Sequence, residues 1–245
     1  MAEGKKLIAA NWKMSPAPAD LQAFKSTKDV DAVVFPTFLD IPLCLDARLT
    51  VGAQYGHPED SGAHTGDISM KMVKDLGCSY VLCGHSERRK DHGETNEFVA
   101  MQVISALKHG LHPILCVGET WEERKAGKSK DVVKTQLEAV LRLLTTNYSL
   151  LTIAYEPVWA ISGGDASKPA ASAADAEDMH SFIRNLLATG YRPIANCQIL
   201  YGGSMKPENA EELLKQPNID GGLVGGASLD PEKFRKIVRL AEQCS

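Results

Sequence analysis

The chain has 245 residues, 44% of them hydrophobic and 24% charged, with 27 Lys and Arg against 31 Asp and Glu for a formal charge of −4. This composition excludes fibrous, intrinsically disordered and disulfide-scaffold proteins, and a chain of this length buries enough surface to need no metal or disulfide staple. The slight acidity gives no broad attraction to nucleic acid or to anionic lipid.

The opening stretch, MAEGKKLIAANWKM, has too short an apolar run for a secretory signal, and no later stretch approaches a membrane span. The six cysteines, Cys44, Cys78, Cys83, Cys116, Cys197 and Cys244, are scattered without a CxxC pair. They read as reduced thiols of a cytoplasmic protein, and their spacing suggests no zinc site, so no metal is expected.

In chain order, the first apolar run is Leu7–Asn11, followed by Ala32–Phe35 and Thr50–Gln54. Pro16, Pro18, Pro36, Pro42 and Pro58 crowd this region, so its two helices must be short. Next come the run Tyr80–Cys83, a helix from Glu94 to His109 stopped by Gly110, and the run Pro113–Val117. Val133, Leu137, Val140, Leu141 and Leu144 form a helical stripe ahead of the run Leu151–Glu156. A second stripe, Met179, Phe182, Ile183 and Leu186, stops at Gly190 before Gln198–Gly202. After Gly221–Gly225, Asp230 caps a last helix that starts at Pro231 and turns Phe234, Ile237, Val238 and Ala241 inward.

The runs are continuous rather than alternating, as in parallel strands covered on both faces. An open doubly wound sheet would satisfy that pattern. Eight βα units in one domain spanning 1–245, with no linker or change of composition, favour a closed α/β barrel.

In a barrel of this kind, functional residues sit just after the strands. Asn11 and Lys13 end the first strand, His85 and Glu87 follow the fourth, and Glu156 ends the sixth. Gly202-Gly203-Ser204 and Gly225-Gly226 follow the last two, where small residues let backbone N–H groups approach an anion. Neither glycine pair is a P-loop or a dinucleotide fingerprint, so nucleotide binding has no support.

Six segments carry a resemblance: Ala10-Asn11-Trp12-Lys13-Met14, Gly84-His85-Ser86-Glu87-Arg88-Arg89, Cys116-Val117-Gly118-Glu119-Thr120, Tyr155-Glu156-Pro157-Val158-Trp159-Ala160-Ile161, Tyr201-Gly202-Gly203-Ser204 and Leu223-Val224-Gly225-Gly226-Ala227-Ser228-Leu229. In this order, over nearly the whole chain, they resemble the triosephosphate isomerase family. The resemblance implies a single-domain (β/α)8 TIM barrel that interconverts glyceraldehyde 3-phosphate and dihydroxyacetone phosphate. It further implies a cytoplasmic homodimer without cofactor or metal, acting in glycolysis and gluconeogenesis, with a triose phosphate and a second copy of itself as partners, and neither nucleic acid nor membrane.

Carried over by the same resemblance, Glu156 is the base, His85 the electrophile, Lys13 the fixed cation and Asn11 the residue that orients the substrate oxygens, with Glu87 supporting them. The backbone of Ser162, Ser204, Gly225 and Gly226 grips the phosphate. Pro157, Val158, Trp159, Ala160, Ile161, Gly163 and Gly164 form a lid. Met14, Gln54, Thr65 and Glu87 lie at the dimer interface, and Cys116 packs near the site without reacting. The chain departs from the family at Ser162, where glycine is usual, in the stretch Tyr55-Gly56-His57-Pro58-Glu59-Asp60, and in a lid segment that runs several residues longer.

Overall fold

The computed structural model describes residues 5–144, 148–161 and 171–244. The strands are β1 (Lys6–Asn11), β2 (Val30–Phe35), β3 (Gly52–Ala53), β4 (Tyr80–Cys83), β5 (His112–Val117), β6 (Thr152–Tyr155), β7 (Ile199–Tyr201) and β8 (Gly221–Val224). All pair in parallel, in the order β2-β1-β8-β7-β6-β5-β4-β3. The two ends of this sheet meet where Val34 bridges Val51 and its N–H donates to the Thr50 carbonyl at 3.0 Å, which closes the barrel.

Each strand is buried on both sides. Leu7 and Ala9 of β1 share the barrel interior with Val33, Phe35, Leu82, Ile114, Cys116, Ala154, Leu200 and Leu223. Ile8 and Ala10 belong instead to the larger core under the helices, with Val34, Val81, Val99, Leu137 and Phe234. The period of two is therefore present in the geometry but hidden in the sequence, because both faces call for apolar residues.

The helices are α1 (Ile41–Asp46), α2 (Met70–Leu76), α3 (Ser86–His92), α4 (Asn96–Lys108), α5 (Trp121–Lys125), α6 (Ser129–Leu141), α7 (Ala173–Gly190), α8 (Ala210–Leu214) and α9 (Pro231–Glu242). As the prolines suggest, the chain between β1 and β3 forms only a 3-10 turn at Leu21–Phe24, another at Phe38–Asp40, and the six-residue α1. Asp230 caps α9 by accepting from the N–H groups of Glu232 and Lys233. The helix expected from Glu94 starts at Asn96, because Thr95 accepts the Phe98 N–H as its cap while Glu94 stays outside and pairs with Arg88. The run Thr50–Gln54 shortens to β3 for a similar reason: the Gln54 side-chain amide, not its backbone, donates to the Phe35 carbonyl at 2.9 Å.

Candidate active site

The carboxyl ends of the strands open into one cavity of about 520 Å³, lined among others by Asn11, Lys13, His85, Glu87, Glu156, Ile161, Ser204, Gly225 and Gly226. The predicted cluster thus converges on one space from β1, β4, β6, β7 and β8.

Glu156 is placed by its neighbours. Its N–H donates to the Val117 carbonyl at 2.7 Å, and the Tyr155 carbonyl accepts from Gly202 N–H at the same distance. A Cβ on Gly118 would lie 1.7 Å from the Glu156 carbonyl oxygen, and one on Gly202 would lie 2.8 Å from its Cγ. Both glycines are therefore required by close approach. The Gln136 side chain on α6 clamps the Gly118 peptide from both sides, accepting from its N–H at 2.7 Å and donating to its carbonyl at 3.1 Å. Neither Gly118 nor Gln136 carries a signal of this role in the sequence, and Gly202, which lines the cavity, also lies against the Glu156 side chain.

The Glu156 side chain is 2% exposed. Its Oε2 accepts the Ser86 N–H at 2.9 Å. Its Oε1 lies 3.0 Å from His85 Nε2, out of hydrogen-bonding alignment, and remains an unpaired acceptor. His85 precedes α3 and accepts the Glu87 N–H at Nδ1 (3.2 Å). An accepting Nδ1 places the proton of the neutral ring on Nε2, so this nitrogen is the donor of a side chain that lines the cavity.

Lys13 sits at φ 52°, a left-handed conformation unusual for a residue with a side chain. Two contacts hold it there: its N–H donates to Asn11 Oδ1 at 3.0 Å, and its carbonyl accepts the Gln54 side chain at 2.8 Å. Gln54, expected at a subunit interface, thus also braces Lys13 within its own chain. Lys13 Nζ pairs with Glu87 Oε1 at 2.5 Å. Burial raises the Glu87 pKa, but the hydrogen bond and charge of Lys13, with His85, outweigh it and hold the carboxyl below its usual range.

At the other rim, Gly225 precedes a 3-10 turn (Gly226–Leu229), and no atom stands within 4 Å of where a Gly226 Cβ would be. The open backbone there and at Ser204 borders the same cavity as Lys13. Of the lid, Pro157–Ile161 is described, whereas Ser162, Gly163 and Gly164 lie outside the described residues. Trp159 donates its indole N–H to Glu119 at 2.9 Å, beneath the Arg124 guanidinium at 4.1 Å from its ring. Glu119 is fully buried and also accepts from the Tyr155 hydroxyl at 3.1 Å. An acidic residue closing the β5 run was the available signal for this anchor. Cys116 is buried, and burial, then the Glu156 charge, pushes its thiol well up, which suits packing and not nucleophilic attack. Met14 is 96% exposed, and Thr65 stands exposed on its loop.

The model of the triosephosphate isomerase family matches residues 6–241. The chain is 42% identical to the triosephosphate isomerase of Herminiimonas arsenicoxydans, over 97% of this chain and 99% of that protein. It is 45% identical to the one from Magnetococcus marinus, over 96% and 97% of the two chains, and 40% identical to that of Aquifex aeolicus, over 96% and 98%.

Proposed function

Since the chain belongs to the triosephosphate isomerase family and interconverts D-glyceraldehyde 3-phosphate and dihydroxyacetone phosphate, we propose that Glu156, His85, Lys13 and Asn11 carry the reaction. Glu156 removes a proton from the carbon beside the carbonyl and returns it to the neighbouring carbon. The His85 Nε2–H donates to the two substrate oxygens in turn as negative charge passes between them, and the Lys13 ammonium stabilises the enediolate. Asn11 orients the oxygens, and Glu87 positions Lys13 and His85. The backbone of Ser204, Gly225 and Gly226 holds the phosphate, joined by Ser162 as the lid of Pro157, Val158, Trp159, Ala160, Ile161, Gly163 and Gly164 closes and excludes water.

One observation carries this reading: an unpaired carboxylate oxygen of Glu156 lies 3.0 Å from the donor nitrogen of His85, so base and electrophile address one point. To act, Glu156 must leave the Ser86 N–H and swing toward the substrate carbon. Exposed Met14, with Gln54, Thr65 and Glu87, supports a homodimer in which the loop around Thr65 reaches a second copy. The free cysteines fit a reducing cytoplasm, where the reaction serves glycolysis and gluconeogenesis. Its partners on this reading are a triose phosphate and a second copy of the chain, and not nucleic acid or membrane, in keeping with the net charge of −4.

The test is Lys13→Met. Loss of a cation that serves both binding and the transition state should raise KM and lower kcat together. Near-normal turnover at saturating substrate by a folded variant would remove Lys13 from the mechanism.

A further inference from the structure

Outside the cavity, three potential metal ligands meet in the loop that follows β3. Backbone bonds close the base of this loop: His57 N–H donates to the Ile68 carbonyl at 2.8 Å, and Met70 N–H donates to the His57 carbonyl at 3.0 Å. Within it, Asp67 N–H donates to the His64 carbonyl at 3.0 Å and folds the tip back over the base. Gly62 leaves room for this, since a Cβ there would lie 2.9 Å from the His64 ring. The rings of His57 and His64 consequently lie 4.0 Å apart, and ligand atoms of His57, His64 and Asp67 all fall within 4.8 Å of one another.

We propose that this loop binds a divalent transition-metal ion of the zinc type through His57, His64 and Asp67. Glu59, whose Oε2 is 3.3 Å from His64 Nε2, offers a fourth donor. Two imidazoles with carboxylates suit zinc, cobalt or nickel, whereas magnesium and calcium demand all-oxygen shells. The spacing in sequence resembles no zinc motif; the closed base of the loop brings the ligands together.

A tetrahedral ion with bonds near 2.0–2.1 Å separates its donors by about 3.4 Å, so the cluster must draw in by roughly an ångström. His57 is the buried anchor, while the side chains of His64 and Asp67 are partly exposed in the single chain; Asp67 Oδ1 accepts the Tyr55 hydroxyl at 3.3 Å, which leaves Oδ2 as its ligand atom toward His57. His57 Nδ1 accepts the Glu59 N–H at 3.2 Å, which places the proton of the ion-free ring on Nε2, the nitrogen 3.9 Å from Asp67. An ion at Nε2 moves that proton to Nδ1 and releases the Glu59 backbone, so the chain at Glu59 shifts as its carboxylate comes in. Because the ligands must be unprotonated, acid weakens binding.

The experiment titrates tag-free, chelator-treated protein with Co2+, following visible absorption, with Zn2+ as competitor and Mg2+ and Ca2+ as controls. The expected result is saturation at about one ion per chain, displacement by Zn2+ but not by Mg2+ or Ca2+, and a loss of about tenfold or more in affinity in both His64→Asn and Asp67→Asn. Circular dichroism without metal identifies the folded variants, and Asp67→Asn carries the comparison if His64→Asn does not fold. Zn2+ should also raise the thermal midpoint of the unmodified chain but not of the variants. No saturable uptake at millimolar Co2+, or equal affinity in the folded variants, would overturn the proposal.

Discussion

Replacing Gly118 by alanine tests whether Glu156 depends on backbone supplied by the neighbouring strand. The added Cβ would stand 1.7 Å from the Glu156 carbonyl oxygen, which is backbone and cannot rotate away. Restoring an ordinary contact of about 3.2 Å requires the end of β6 or the Gly118 peptide to retreat by more than an ångström, against the two hydrogen bonds of Gln136. Overpacking of this kind costs about 1–3 kcal/mol of stability, and a 1 Å misplacement of a reacting group costs about 100-fold in rate. Gly202→Ala meets the Glu156 Cγ at 2.8 Å and the Tyr155 carbonyl oxygen at 3.1 Å, so its neighbours need give only a few tenths of an ångström, and it should cost less. A coupled assay of glyceraldehyde 3-phosphate turnover, with urea denaturation as the stability control, should show kcat falling far more than KM rises, and more in Gly118→Ala than in Gly202→Ala. A folded Gly118→Ala enzyme within twofold of wild type would refute the claim that this close approach places the base.

His180 is fully buried, donates Nδ1–H to the Asn218 carbonyl at 3.1 Å, and has its pKa pushed down to about 3 by burial. The unfolded chain takes up this proton below its usual pKa near 6.5 and the folded chain does not, so stability is lost as pH falls from there toward 3, by up to about 1.4 kcal/mol per pH unit from this residue. Urea unfolding at several pH values should show a shallower acid loss in His180→Gln, and an unchanged slope would contradict this. If the loop around Thr65 completes a partner's site, the chain should sediment as a dimer and lose specific activity on dilution. Full activity in a species shown to be monomeric would exclude that arrangement.

The strands and the strand-end residues were legible because burial on both faces leaves unbroken apolar runs, and because Lys13, His85 and Glu156 each stand just beyond one. The long helices α4, α6, α7 and α9 were legible from their stripes and caps. The short helices α2, α3, α5 and α8 were not, since one or two turns show no usable period. The restraints on Lys13 and Glu156 were also hidden. Gln54 and Gln136 act through side-chain bonds to backbone groups distant in sequence, and the part played by Gly118 is an empty volume visible only once β5 and β6 lie side by side. The grouping of His57, His64 and Asp67 depends in the same way on the closure of a loop, which spacing does not encode.

The central claim is that Glu156 moves the proton. The direct measurement is exchange of substrate protons with deuterated water, together with net isomerisation, in wild type and Glu156→Gln, with phosphate binding confirming an intact site. Because the amide cannot accept the proton, Glu156→Gln should bind phosphate normally while exchange and isomerisation fall together by several orders of magnitude. Undiminished exchange or turnover in that variant would contradict the account.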